Sequence, residues 1–421
     1  MGSDAATRAD RQAQLERVIR QRDSLARTET LIELAWDYSQ QDAGRAAELV
    51  EQCLASPVDA TGRARALVIR SFVEWRQGRF RSACEDAERA LEDLVDDDHL
   101  WRSRAFNSLG AAAYHLGAFD EASARYEQAL ALVDRHGGER GGLISNIGLI
   151  HLHQGRYAEA RPFFDEAFAL ACRAGNETHQ GNIRVNLGNL EFNLGRYGAA
   201  LAQYEAAAGL FESLGSDFLL GDVLIKIGSV HTMLRHDTKK ALRSFRRALE
   251  LLGDGNSPIE LAWGYQRLAE LQIELGDREG ARASYEQSLA ICEEHEYEGV
   301  VALCLNGLAN LSLDDGDLET ARKLRHRALA AARARGIQHE LAWILHALGA
   351  DHLEARDFGS AEEALQAAAE YLDKESVRYE ASAVHRTLCD LYLARGDHPR
   401  ALEHLRTHGA LRADVDVDAP R

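Results

Sequence analysis

Ser108-Leu-Gly-Ala-Ala-Ala-Tyr-His-Leu-Gly117-Ala-Phe-Asp-Glu-Ala122-Ser-Ala-Arg-Tyr126-Glu-Gln-Ala129-Leu130 carries apolar residues at helical spacing on both sides of Gly117. The segment therefore predicts a helix, a tight turn and an antiparallel helix. Two further copies follow, from Asn146-Ile-Gly148 to Ala167 and from Asn186-Leu-Gly188 to Ala207. A turn residue recurs through the chain at Gly78, Gly117, Gly155, Gly195, Arg235, Gly276, Gly316, Arg356 and Gly396, in steps of 38 to 41 residues. A fixed period of that length marks a stacked array of one supersecondary unit, because a lone helix pair cannot bury its apolar face without neighbours. The expected fold is all-α.

Small residues recur in the first helix of each copy, at Ala35, Ser71, Gly110, Gly148, Gly188, Gly228, Ala269, Ala309, Gly349 and Cys389. The second helix is small again twelve residues later, as at Ala83, Ala122, Ala160 and Ala200. These positions suit a close helix contact, where a bulky side chain would cost roughly 1–3 kcal/mol through overpacking. Tyr126, Phe164, Tyr204, Phe245 and Tyr285 are expected to fill the space between repeats.

The registered order of Leu-Gly, an aromatic, Gly, Ala, Tyr or Phe, then Ala resembles the tetratricopeptide repeat (TPR). About ten copies cover Arg27 to His408. The period is near 40 rather than 34, and the Pro that usually closes the shorter repeat is missing. That resembles the long-helix variety of kinesin light chain, Pins-like polarity adaptors and some bacterial signalling proteins. The resemblance implies a right-handed α-solenoid superhelix with the first helices on its concave inner wall. Residues 1–26 are read as a tail and capping helix, 27–408 as the array and 409–421 as a C-terminal tail. One extra residue in Arg235-His-Asp-Thr-Lys-Lys-Ala241 predicts an irregular turn in the sixth repeat.

The net charge of −18, from 67 acidic and 49 basic residues, opposes generic binding to a phosphate backbone and argues against nucleic acid as main ligand. No stretch reaches the roughly 18 apolar residues of a membrane span, and no apolar signal core follows Met1. A cytoplasmic protein is expected. The six cysteines lie far apart without a Cys-x-x-Cys pair, so neither a zinc site nor a disulfide framework is indicated.

Amides crowd the first helices at Asn107, Asn146, Asn182, Asn186, Asn189, Asn193, Asn306 and Asn310. Asn is a poor helix-interior residue, and its side chain offers a donor and an acceptor together, which suits the main chain of an extended peptide. The family resemblance places these residues on the inner wall. Arg104, Arg184, Lys226 and Arg267 project from the same helices, with His115 and His153 at matching positions, so a locally cationic wall suited to an acidic peptide is expected. Trp263 and Trp343 share a repeat position and are read as core rather than groove.

Lys239, Lys240, Arg243, Arg246 and Arg247 form a basic stripe on a second helix, and Arg322-Lys-Leu-Arg325-His-Arg327 forms another; both are read as solvated outer faces. Gly137-Gly-Glu-Arg-Gly-Gly142 lacks the strand before it and the Gly-Lys-Ser/Thr ending of a phosphate loop, so it is read as an inter-repeat turn. His404 and His408 share a helix face without a third ligand. No catalytic signature or cofactor fingerprint is present. The expected function is a non-catalytic scaffold or adaptor, without cofactor or metal, holding an extended segment of a protein partner. The alternatives are a sensory module that controls an output domain in cis or in trans, and a self-associating scaffold; the chain is expected to be a monomer or homodimer.

Overall fold

The computed structural model describes residue 13 and residues 24–39, 42–56, 58–133, 138–234, 237–253, 258–295, 297, 299–335, 338–375 and 378–418. The expected capping helix at Thr7–Ser24, the turn residue Arg235 and Gly137 fall largely or wholly outside these. Among the described residues the chain is helical with no strand. The helices are α1 (Ser24–Ser39), α2 (Ala43–Leu54), α3 (Ala60–Arg76), α4 (Phe80–Asp93), α5 (His99–His115), α6 (Phe119–Leu132) and α7 (Gly138–His153). Next come α8 (Tyr157–Arg173), α9 (Glu177–Asn193), α10 (Tyr197–Leu214), α11 (Asp217–Met233), α12 (Thr238–Leu252), α13 (Pro258–Glu274) and α14 (Arg278–Glu294). The last are α15 (Val301–Asp314), α16 (Leu318–Arg335), α17 (Gln338–Glu354), α18 (Phe358–Glu375), α19 (Arg378–Arg395) and α20 (His398–Asp418). They form two compact units: Met1–Asp277 with Ala290–Tyr297 is unit 1, and Arg278–Leu289 with Glu298–Arg421 is unit 2. Odd-numbered helices are the first members of each pair.

Wherever the turn within a pair is described, it is closed by the same backbone device. At the turn after α5, the Gly117 N–H donates to the Tyr114 carbonyl (3.0 Å) and the Ala118 N–H to the Ala113 carbonyl (2.9 Å). Gly117 holds φ +79°, and Gly78, Gly155, Gly195, Gly276, Gly316 and Gly396 are likewise left-handed, which Gly adopts without a Cβ clash. Arg356 occupies the equivalent site with φ 59°, the only non-glycine among the described residues to do so. In unit 2 the following Asp caps the next helix, with the Thr320 N–H donating to Asp317 (3.1 Å) and the Ser360 N–H to Asp357 (3.3 Å).

The small positions admit an aromatic ring. A Cβ on Gly110 would stand 2.7 Å from the Tyr126 ring, one on Gly148 2.8 Å from Phe164, and one on Gly228 2.7 Å from Phe245; Gly188 bears on Tyr204 in the same way. Tyr126, Phe164, Tyr204 and Phe245 thus fill the inside of their own helix pair rather than only the space between repeats. All four are buried, with Ala122, Ala160, Ala200 and Ala241 beside them. The cysteines form no disulfide. The tail expected from residue 409 is instead a continuation of α20 to Asp418, because Ala410 and Leu411 prolong the helix and Leu411 packs on the unit 2 core.

Candidate functional site

In unit 1 the first helices of successive pairs are joined by a polar seam. Asn146 of α7 donates its Nδ2 to Asn107 Oδ1 of α5 (3.0 Å), and one repeat on, Asn186 of α9 donates to Ser145 Oγ of α7 (2.9 Å). In unit 2 His346 and Thr387 meet at the same register (2.8 Å). Asn189 accepts from the buried Tyr204 hydroxyl (2.7 Å), while Asn182 and Asn193 are exposed along α9. The seam uses one group of each amide. Among the described residues no partner falls on the Asn107 and Asn189 donors or on the Asn146 and Asn186 acceptors, all on half-buried side chains.

Most of the inner-wall cations are already matched by carboxylates. Arg104 donates to Glu139 (2.7 Å) and lies over the Trp36 and Trp101 rings, 3.9 and 4.6 Å from their centroids. Lys226 pairs with Asp222 (2.5 Å), and Arg267 with Glu270 (2.8 Å) beneath the Trp263 ring. Arg184 donates to Gln203 (3.2 Å) and covers Phe168. The wall is therefore polar but electrically balanced, which corrects the expectation of a cationic lining. His115 stacks on Phe80 at 4.8 Å and His153 meets Tyr114 edge-on at 5.0 Å; both are exposed.

His115 lies within a run of rings that sequence reasoning missed. Trp101, Trp36, Phe72, Trp75, His115 and Tyr114 follow one another at centroid distances of 5.3 to 5.8 Å. The available signal was the recurrence of aromatics near the ends of α1, α3 and α5. Trp263, read as core, is half-buried and donates its Nε1 to the Tyr297 hydroxyl (2.9 Å), whereas Trp343 is 44% exposed.

Asn306 and Asn310 behave differently. Asn306 is 1% exposed and accepts from Arg325 Nη1 (2.6 Å), and Asn310 accepts from Nη2 (2.8 Å), while Asp351 takes Nε. Arg325 is itself 2% exposed. This corrects two expectations: the buried Asn306 solvates a guanidinium instead of facing a ligand, while Asn310 lends it only the oxygen of an exposed side chain, and Arg325 does not belong to an outer solvated island. Burial of an ion requires partners, and the three residues supply one for each of its three nitrogens. Burial raises the Asp351 carboxyl above its ordinary range against the pull of Arg325.

Unit 1 also closes on itself. The Arg76 guanidinium lies 4.4 Å over the Phe218 ring, and a Cβ on Gly78 would meet Tyr297 at 3.3 Å and Ile259 at 3.4 Å. The end of α3 thus touches the starts of α11 and α13, with the intervening repeats carried round between them. Among the described turn glycines, Gly117 aside, the others have nothing within 4 Å. Close by, burial and then Asp222 push the Glu260 carboxyl up to about 7.

His404 and His408 are separately engaged: His404 faces His385 across 2.9 Å, and His408 meets Ser382 (2.8 Å). Among the described residues no group of three or more His, Cys, Asp or Glu is placed to hold a metal ion, and no helix is long and apolar enough to cross a membrane.

Paired helices at a 40-residue period, with polar bonds between successive first helices, define a helical-repeat scaffold. The MalT-like TPR region matches residues 64–219, and tetratricopeptide repeats match 264–295, 301–374 and 382–407. The chain is a tetratricopeptide-repeat protein. Its fold is similar to that of a Rap protein solved in complex with Competence and Sporulation Factor, at 12% identity and TM-score 0.54 over 93% of this chain and 99% of that one. It is similar too to aspartyl phosphate phosphatase F from Bacillus subtilis (13%, 0.53, covering 82% and 93%). A signal transduction ATPase with numerous domains from Pyrococcus horikoshii, bearing a TPR sensor, aligns at 14% and 0.53 over 83% of this chain and 56% of its own. No curated protein matches the chain in sequence.

Proposed function

We propose that the protein is a non-catalytic interaction module whose unit 1 inner wall holds an extended segment of a partner protein. The observation that carries this is the half-used amide seam. Asn107, Asn146, Asn186 and Asn189 are fixed by bonds to their neighbours and each retains a group for a ligand. Fixed amides lose little entropy on binding, so each contact contributes a net ~0.5–1.5 kcal/mol to a peptide main chain. Inner helices packed roughly 8–10 Å apart match about three residues of extended peptide per repeat. The aromatic run from Trp36 to Tyr114 supplies apolar contact beside the seam. The Rap protein complexed with its factor supports the reading, since that fold accommodates a second molecule.

The test is selection of extended decapeptides from a displayed library, followed by replacement of backbone amides in the best binder by esters. Ester substitution, and the Asn146→Ala/Asn186→Ala variant, should each weaken binding about tenfold, the equivalent of ~1.4 kcal/mol. Unchanged affinity in both would sink the amide-seam reading.

A second reading, regulatory coupling to an output partner, rests on the Arg76–Phe218 and Gly78 contacts, which give unit 1 a joint that a ligand can open. Scattering that shows no change in the dimensions of the protein on peptide binding would dismiss it.

A further inference from the structure

Two clefts on unit 1 have comparable size and construction, and their charge sets them apart. One, of about 560 Å³, lies along α2, α3 and α4, where Arg63, Arg70 and Arg89 face Glu51, Glu92 and Asp93. It is balanced by its own residues, as Arg70 shows in pairing with both Asp86 (2.6 Å) and Glu51 (3.7 Å). The other, of about 580 Å³, lies over α11 and along α12, where Lys240, Arg243, Arg246 and Arg247 face a single carboxylate, Glu250.

Folding leaves that second imbalance largely in place. Lys240 pairs with Asp237 (2.8 Å) and Arg247 with Glu212 of α10 (2.9 Å). Lys239, Arg243 and Arg246 are exposed and have no ion-pair partner among the described residues. In a chain of net charge −18, what sets these cations apart is that four of them line one cleft beside a single carboxylate. The floor is apolar, formed by Leu224 and by the buried His231, whose imidazole is held below its usual range by burial and then by Lys240.

We propose that the α12 cleft is a second docking site, taking a short acidic segment of a partner protein whose carboxylates pair with Arg243 and Arg246 and whose backbone lies over Leu224. Residues 243 and 246 are separated by about 4.5 Å of helix rise. An extended strand presents same-side carboxylates about 7 Å apart, a spacing that two long, divergent arginine side chains span. A long polyanion such as nucleic acid would run from the cleft onto a strongly acidic surface and be repelled. A short segment meets only the cations.

The experiment uses the full chain and a fluorescently labelled decapeptide of alternating Glu and Ala, read by anisotropy between 50 and 300 mM salt, with the Gln-Ala decapeptide as control. The Glu peptide should bind, the Gln peptide should not, and binding should weaken with salt. Arg243→Glu/Arg246→Glu should weaken it at least tenfold while leaving the helical circular dichroism unchanged; Arg63→Glu/Arg89→Glu, in the balanced cleft, should leave binding within about twofold. Absence of Glu-peptide binding to the wild type would overturn the proposal, and so would equal binding to wild type and the Arg243/Arg246 variant. A labelled single-stranded oligonucleotide that binds more tightly than the peptide and is lost in the same variant would replace it with a phosphate site. Because the α12 cleft uses no residue of the inner seam, Asn146→Ala/Asn186→Ala should not alter Glu-peptide binding, which separates this test from that of the groove.

Discussion

Asn107 and Asn146 in unit 1, and Asn306 and Asn310 in unit 2, are the same residue type on the same kind of inner helix, yet they do different work. The first pair bonds to each other and keeps spare groups on a half-buried surface. In the second pair both Oδ1 atoms accept from Arg325, with Asn306 buried and Asn310 exposed. What separates them is one cation on a second helix: where a guanidinium is buried, the amide oxygens beside it become its solvent, and where none is, the amides bond to each other. A residue's role in this array is therefore set by what the neighbouring helix brings to it.

The sharpest way to break this comparison is Arg325→Ala, which leaves Asp351 buried without its cation and should cost unit 2 about 3–5 kcal/mol. Hydrogen exchange should show α15 to α17 losing protection while α5 to α9 keep theirs. Arg325→Met combined with Asp351→Leu should recover most of that loss, since an apolar pair needs no solvation.

A smaller contrast compares the amides directly. Asn306→Ala removes an acceptor from a buried ion and should destabilise by about 1–3 kcal/mol, whereas Asn107→Ala, whose partner Asn146 can turn to water, should cost about 1 kcal/mol or less. Equal losses in chemical denaturation would erase the distinction drawn between the two walls.

Unit 1 has its own electrostatic burden at Glu260. Its carboxyl titrates near 7 in the fold, above the ordinary 4.5. With the folded value the higher, the group favours folding fully below about pH 4.5, and that contribution is lost as pH rises through 7. Glu260→Gln should therefore raise the melting temperature at pH 8 and leave it unchanged at pH 4. Because the carboxylate keeps some access to water, the gain is put at ~1 kcal/mol rather than the full value of the shift.

The smallest effect belongs to the turns. Arg356→Gly relieves a left-handed arginine in unit 2 and should stabilise by about 0.5–1 kcal/mol, and Gly195→Arg should destabilise the matching turn of unit 1 by a similar amount. Opposite signs in thermal melts would tie both turns to one backbone device.

Much of the fold was legible because its signals are local. Gly117, Gly155 and Gly195 announce their turns through a backbone angle that other residues resist, and Gly110, Gly148 and Gly188 announce a close approach. The identity of what approaches was not local: the sequence suggested helix against helix, and the contact is an aromatic ring sixteen residues on. For the candidate site, residue type gave the correct helices but not the partners. Arg104, Lys226 and Arg267 looked like a cationic lining until Glu139, Asp222 and Glu270 were found beside them.

Period, turn positions and helix pairing were thus determined by the sequence itself, since each depends on residues within about forty positions of one another. Tertiary structure alone decided which charges cancel, which amides stay available and where Arg76 meets Phe218. Those outcomes depend on distances between repeats, and a chain that repeats its pattern does not encode in any one copy how far the next several will curve.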